Sequence, residues 1–292
     1  MSKPNLSSTP ISLQPMRPQD LEVAMALKNA EGWNQTLEDW NLFLQCNPDL
    51  CLGAKVKDRL VGTVTALAFE QKVAWISMML VQKEYRGRGI SKLLLKEIIE
   101  RLGNCSSIKL DATPAGYPVY ESLGFVEEFA LARYVLDVDR YPIKPLEGSA
   151  LMPIQTSDLK GLIQWDSPYF GANRSVVLNH LHSLAPELAW YTENEGEVLG
   201  YVLGRPGTRF TQIGPLVAKD SRIANQLLFK AVSQISGGKV VMDLCKHQTE
   251  LVKTTEGAGF EKQRDLYRMY FKSNAFAGRP ENYFLVAGPE LG

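Results

Sequence analysis

The chain repeats itself, and a repeat restricts it to folds that one half-length unit can adopt twice. An apolar run at 75–81 leads through a polar turn into 91–99, where apolar residues recur at helical spacing; 213–217 leads into 224–232 in the same way. Downstream, the strand-like segment ending in Asp111 is echoed by one ending in Asp243, and Leu123-Gly124-Phe125 by Ala258-Gly259-Phe260. Arg133 lies eight residues after Phe125 and Arg268 eight after Phe260, each followed by another strand-like run. Upstream, Lys57-Asp58-Arg59 and Asn194-Glu195-Gly196 each separate two strand-like segments, a hairpin signal.

Each half therefore reads as helix, antiparallel hairpin, strand, helix, strand, short helix and final strands, a mixed α/β (α+β) unit of about 140 residues, which is an ordinary domain size. The 292 residues accommodate two such units. The stretch 137–151, with Pro142, Pro145, Gly148 and few periodic apolar residues, marks the boundary. It divides the chain into a first domain over 1–140, a linker over 141–150 and a second domain over 151–292.

The most informative peptide runs from Val81 to Ser91, between a strand and a helix, and contains Arg86-Gly87-Arg88-Gly89-Ile90. The first amides of a helix have no partner inside it and carry partial positive charge, so they can hold an anion. Glycines let the backbone come close to phosphate, and Arg86 and Arg88 add full charges. The turn is neither a Walker loop, lacking Gly-Lys-Ser/Thr, nor a dinucleotide fingerprint, lacking Gly-x-Gly-x-x-Gly. On its own, Arg-Gly-Arg-Gly also fits a purely structural turn.

Together with the Tyr120 to Phe125 segment it resembles the GCN5-related N-acetyltransferase (GNAT) superfamily. That family's signature, Gln/Arg-x-x-Gly-x-Gly/Ala, is met at 86–91 with Ser91 in the last small-residue place, and its later Tyr followed by Gly-Phe is met by Tyr120, Gly124 and Phe125. The resemblance implies two tandem GNAT folds, each a mostly antiparallel mixed sheet flanked by helices. It also implies acyl-CoA, most simply acetyl-CoA, as cofactor, and an amine as acceptor. Met79, Leu80 and Val81 would then offer backbone to the pantetheine arm, with the Met79 N–H as donor to the thioester oxygen; residues 86–91 would hold the diphosphate. Tyr120 would be the general acid, its other reading being an aromatic packed under the Gly-Phe turn. The place where many relatives carry a basic Glu is Trp75, so Asp111 is read as base or amine anchor, or else as a strand-end cap, with water as a further route.

The second copy is degraded. The span from Val81 to Leu93 is twelve residues and its counterpart from Val217 to Leu227 is ten; the intervening 218–223 holds no glycine, and Thr255 stands where Tyr120 should repeat. This half is expected to pack or to shape the acceptor pocket. Asp166, Phe170, Asn173 and Arg174 are read as substrate contacts or a helix-capping segment, and Trp33 as an acceptor-pocket residue or a hydrophobic staple. His180 and His182, two apart on a predicted helix, do not share a face and read as surface or packing residues. A CoA-binding sensor without turnover is the alternative function.

Thirty-two basic and thirty-two acidic side chains cancel, so no global field draws the chain to nucleic acid. Four cysteines without Cys-x-x-Cys spacing suggest neither a zinc site nor a disulfide scaffold. No signal-like or membrane-spanning apolar run is present. The expectation is a cytoplasmic enzyme of a small-molecule amine, a monomer with an internal pseudo-dimer or a homodimer.

Overall fold

The computed structural model describes residues 10–148 and 150–292; residues 1–9 and Ser149, assigned above to the first domain and the linker, lie outside the described residues. The first half runs β1 (Ser12–Pro15), α1 (Leu21–Ala30), α2 (Leu37–Cys46), β2 (Cys51–Val56), β3 (Arg59–Phe69), β4 (Val73–Val81), α3 (Ile90–Arg101), β5 (Ser107–Ala112), α4 (Tyr117–Glu121) and β6 (Val126–Asp137). The second half repeats that order as β7 (Met152–Pro153), α5 (Leu159–Phe170), α6 (Ser175–Leu184), β8 (Trp190–Asn194), β9 (Glu197–Arg205), β10 (Thr211–Ala218), α7 (Ser221–Val232), β11 (Lys239–Cys245), α8 (Thr249–Gly257) and β12 (Glu261–Lys272). Among the described residues one strand, β13 (Tyr283–Leu285), has no counterpart.

The expected mixed α/β architecture is present, a mostly antiparallel sheet flanked by helices. Among the described residues the two halves build one sheet of thirteen strands, ordered β1-β2-β3-β4-β5-β12-β6-β11-β13-β10-β9-β8-β7. The final strands are exchanged. β6 of the first half pairs with β11 of the second, and β12 of the second half pairs with β5 of the first. Between them β12 and β6 run antiparallel with Leu266 opposite Leu131, and these are repeat equivalents, six residues after Phe260 and Phe125. A local two-fold axis passes there, and the cut near residue 140 separates sequence repeats without separating structural units.

Helices cover both faces. α3 buries Ile90, Leu94, Leu95 and Ile98, one stripe at helical spacing, against the sheet. α1 and α2 lie on the opposite face in a cluster that includes Trp40, Phe43, Phe69 and Trp75 and continues into Phe170, Leu178 and Leu291 of the second half. Each large apolar side chain so buried contributes about 1.5–3 kcal/mol. Among the described residues no helix is long and apolar enough to cross a membrane.

Candidate active site

β4 and β5 are parallel neighbours only where Val73, Ala74 and Trp75 meet Ser107, Ile108 and Lys109; beyond that they diverge and open a cleft. A bulge re-aims β4 at this point. Between Thr65–Ser77 and Thr63–Leu80, β4 spends one more residue than β3, Met78 takes φ 49°, and the Thr63 hydroxyl donates to the Met78 carbonyl at 2.8 Å. The Gln82 amide donates to Val61 on β3. Strand alternation therefore turns the Val81 and Met79 amides toward the cleft and the Leu80 amide back toward β3, so of the three expected backbone donors Leu80 is not one.

At the end of β4 the chain turns into α3. Gly87 and Gly89 hold φ +75° and +77°, a region costly for side-chain-bearing residues, and a Cβ built on either would meet nothing within 4 Å. The space at the head of the helix is open and lined by amides, since the first N–H to join the helical ladder is that of Leu93, bonded to Gly89. Such a pocket fits a diphosphate. Arg86 braces the turn, its Nε donating to the Val81 carbonyl (3.0 Å) and its guanidinium paired with Glu31 (2.6 Å). The Arg88 guanidinium sits 5.3 Å from the Tyr85 ring centre and does not line the groove.

The groove along Val81, Gly87, Gly89 and Ile90 runs into a deeper cavity, the two sharing Trp33, Met79, Ser91, Thr113 and Gly116. Tyr120, on α4, lines the cavity and packs edge-on against Phe125. Burial pushes its phenol up to about 12, so the hydroxyl stays protonated at neutral pH. Trp33 is placed by the second half. The Asn34 side chain donates to the Phe210 carbonyl (3.1 Å) and accepts from the Arg209 and Phe210 amides (3.0 Å each), while Thr36 caps α2 through the Asp39 amide.

The role expected of Asp111 needs correction. Its carboxylate is buried and bidentate to Arg268 (2.9 and 3.0 Å), so although burial raises its pKa, both oxygens are occupied and neither serves as a free base. Asp166, Phe170 and Arg174 also leave the acceptor list. Arg174 is fully buried, bidentate to Asp166 (2.8 Å twice), bonded to Tyr201, and stacked on Phe170. None of the three lines the cavity. Asn173 is exposed and accepts from the Ser175 amide (2.8 Å) at the start of α6, the capping alternative. His182 donates to the Ile154 carbonyl (2.9 Å) and His180 lies 3.5 Å from Asp39, so both pack.

The corresponding cleft in the second half is filled by the chain itself. β10 and β11 pair at three positions and then diverge as β4 and β5 do, but β13 lies in the gap, bonded to both. The bulge recurs with Gly214 and Pro215 in the places of Met78 and Met79, so the position of the Met79 amide carries no N–H. At the head of α7 the Asp220 carboxylate accepts from the Ile223 amide (2.8 Å), a built-in anion where the first half leaves room. Thr255, at the Tyr120 position, bonds its own helix.

Past β13 the chain returns to the first cavity. Pro289 and Glu290 line it, with the Trp75 indole donating to the Pro289 carbonyl (3.0 Å). Burial raises the Glu290 carboxyl's pKa against the pull of Arg205, which pairs with it and with Asp39, and Gln35 donates to its other oxygen (2.8 Å). Gln35, Arg133, Arg264 and Glu290 are cavity residues that the reading of the sequence missed. Arg133 carried a signal in its spacing from Phe125 and Gln35 in its nearness to Trp33, whereas Arg264 arrives through strand exchange and Glu290 through the returning tail.

Two family models match. One described as the Acetyltransferase (GNAT) family covers residues 21–125, and one described as an Acetyltransferase (GNAT) domain covers 162–285. An uncharacterised N-acetyltransferase, YitH, of Bacillus subtilis (strain 168) is 24% identical over 73% of this chain and 74% of its own length. A holothin acyltransferase of Pseudoalteromonas sp. (strain SANK 73390) is 23% identical over 90% of this chain and 88% of its own. Among solved structures, a candidate acetyltransferase from Pyrococcus horikoshii superposes with TM-score 0.81 at 25% identity, covering 100% of this chain and 99% of that one. A tandem GNAT protein from the clavulanic acid biosynthesis pathway shares the fold, with TM-score 0.61 at 14% identity over 90% and 98% of the two chains.

Proposed function

The chain belongs to the GCN5-related N-acetyltransferase superfamily as a tandem-domain acyltransferase, and from that premise we propose that it moves an acetyl group from acetyl-CoA to the amine of a small molecule by direct attack in a ternary complex. Acetyl-CoA, when bound, supplies an activated acyl group on a thiol that can leave. The amides at the head of α3 would hold its diphosphate, and Val81 would pair with the pantetheine arm along the open edge of β4. The Met79 amide aims into the cleft as donor to an oxygen gaining negative charge, a preorganised contact of the kind that contributes about 10²–10³ in rate.

Tyr120 is the proton donor to the departing sulfur. Burial keeps its phenol protonated, the departing thiolate takes that proton and leaves as the neutral thiol, and solvent then returns a proton to Tyr120. Asp111 and Glu290 are both held in ion pairs, so the amine's proton passes to solvent. Trp33 borders both groove and cavity and would orient the acceptor.

The observation that carries this reading is the continuity of the glycine turn, the Met79 edge and Tyr120 along one groove in the first half. Thiol release from acetyl-CoA with a panel of primary amines tests it. Amine-dependent release supports transfer. Stabilisation by CoA without release from any amine replaces it with a non-catalytic CoA-binding protein, and failure to bind CoA removes both.

A further inference from the structure

Two arginines stand side by side in the cavity below Met79 and Tyr120. Arg264 on β12 lies opposite Arg133 on β6 in the antiparallel register, and both line the cavity. Arg133 is neutralised by Asp243 through bonds of 2.8 and 2.7 Å. Arg264 has no ion-pair partner among the described residues, and its Nε is buried without an acceptor. The carboxylates lining the same cavity are engaged elsewhere, Asp111 by Arg268 and Glu290 by Arg205 and Gln35. Burial, and then the charge of Arg133, lowers the Arg264 pKa from its ordinary value. Like charges opposite each other on paired strands repel, and the buried Nε of the half-buried Arg264 is left without an acceptor, the more distant charges of Asp243 and Glu290 offsetting this only in part. An incoming anion relieves both.

The repeat provides an internal control. Arg264 lies four residues after Phe260, and four after Phe125 is Phe129. The register sets Phe129 opposite Arg268 as it sets Arg264 opposite Arg133, so the two occupy one position of the fold on either side of the axis. Phe129 faces a small void with Phe170 and Tyr283, its ring centre 5.1 Å from the Arg268 guanidinium. An aromatic ring therefore satisfies the fold at this position. The arginine occurs only on the side that opens to the first-half cavity.

We propose that Arg264 anchors the acceptor: the amine that is acetylated also carries an anionic group, a carboxylate or a phosphate, which pairs with Arg264 while its nitrogen faces Met79 and Tyr120. This rests on the acetyl-transfer reading and narrows it. A polyamine brings no anion to Arg264 and gains nothing from it.

The test supplies each amine of a panel as free carboxylic acid, carboxamide and phosphonate, and follows acetyl-CoA-dependent thiol release by wild type, Arg264→Gln and Arg264→Lys. The acid or the phosphonate should exceed the carboxamide by about 10²-fold in kcat/KM with wild type. Arg264→Gln should erase that preference, and Arg264→Lys should keep most of it, with the KM for acetyl-CoA and the folded state retained. Preference for acid over phosphonate assigns a carboxylate; the reverse assigns a phosphate. Equal use of acid and carboxamide by wild type, or a preference that survives Arg264→Gln, overturns the anchor and leaves acetyl transfer standing. If no amine releases thiol, transfer fails, and the anchor is judged by melting temperature with CoA present. Acids or phosphonates must then stabilise wild type above carboxamides and lose that advantage in Arg264→Gln, or the anchor falls too.

Discussion

Arg133 on β6 grips Asp243 on β11 with two guanidinium nitrogens, and their repeat equivalents, Arg268 on β12 and Asp111 on β5, form the same bidentate pair across the other exchanged edge. In each case the two residues are direct partners in the strand register. The equal Phe-to-Arg spacing in the two halves thus serves a reciprocal purpose: each half sends an arginine into the other.

Breaking one of these buried pairs from one side strands a charge. Asp243→Asn and Arg268→Leu should each lower stability by about 3–5 kcal/mol, read from urea unfolding. The wild-type chain should unfold in a single transition, and residues 1–140 alone should show none, because β5 would lack its neighbour. A cooperative melt of that fragment would count against the exchange as a requirement for folding.

Gly89 caps α3 at φ +77°. Gly89→Val should cost about 1–2 kcal/mol in stability from the left-handed backbone. It should also weaken CoA binding at least about tenfold, since its Cβ would point into the open space that suits phosphate. Calorimetric titration and a thermal melt separate the two effects.

Tyr120→Phe should reduce kcat by about 10²–10⁴ while leaving the Kd for CoA unchanged. The sign of the pH dependence follows from the phenol's position. An acid must be protonated to work, and a phenol raised to about 12 stays so throughout the ordinary range. The wild-type rate should therefore climb with pH as the acceptor amine loses its proton, and decline only as pH approaches that value. A decline near pH 8–9, well below the ordinary phenol pKa of about 10, would point to a different acid.

CoA titration should give one site per chain. With β13 in the second cleft, Pro215 in the place of Met79 and Asp220 at the helix head, a second equivalent has nowhere comparable to bind. Two equivalent sites would contradict this account of the second half.

The elements and the phosphate turn were legible because they rest on local signals: apolar periodicity, turn residues, and the offsets of Gly87, Gly89 and Tyr120. Strand exchange was not. Asp111 and Arg133 sit in the same half, and nothing in their spacing says that Arg268, 157 residues from Asp111, is the true partner. Asp166 and Arg174, read from the sequence as substrate contacts or a capping segment, are eight apart, and with Gly171 reversing the chain they close on each other inside the core. Glu290 reaches the cavity only because the tail crosses the neighbouring cleft first, a path without local signature.

Exchange of the final strands also binds the fate of the two copies. Deleting one repeat would not leave the other whole, because the open cleft of the first half is bordered by strands and a tail encoded in the second. A half whose own cleft is filled is thus still needed to wall the open one, and substitutions in it should register in the first-half cavity.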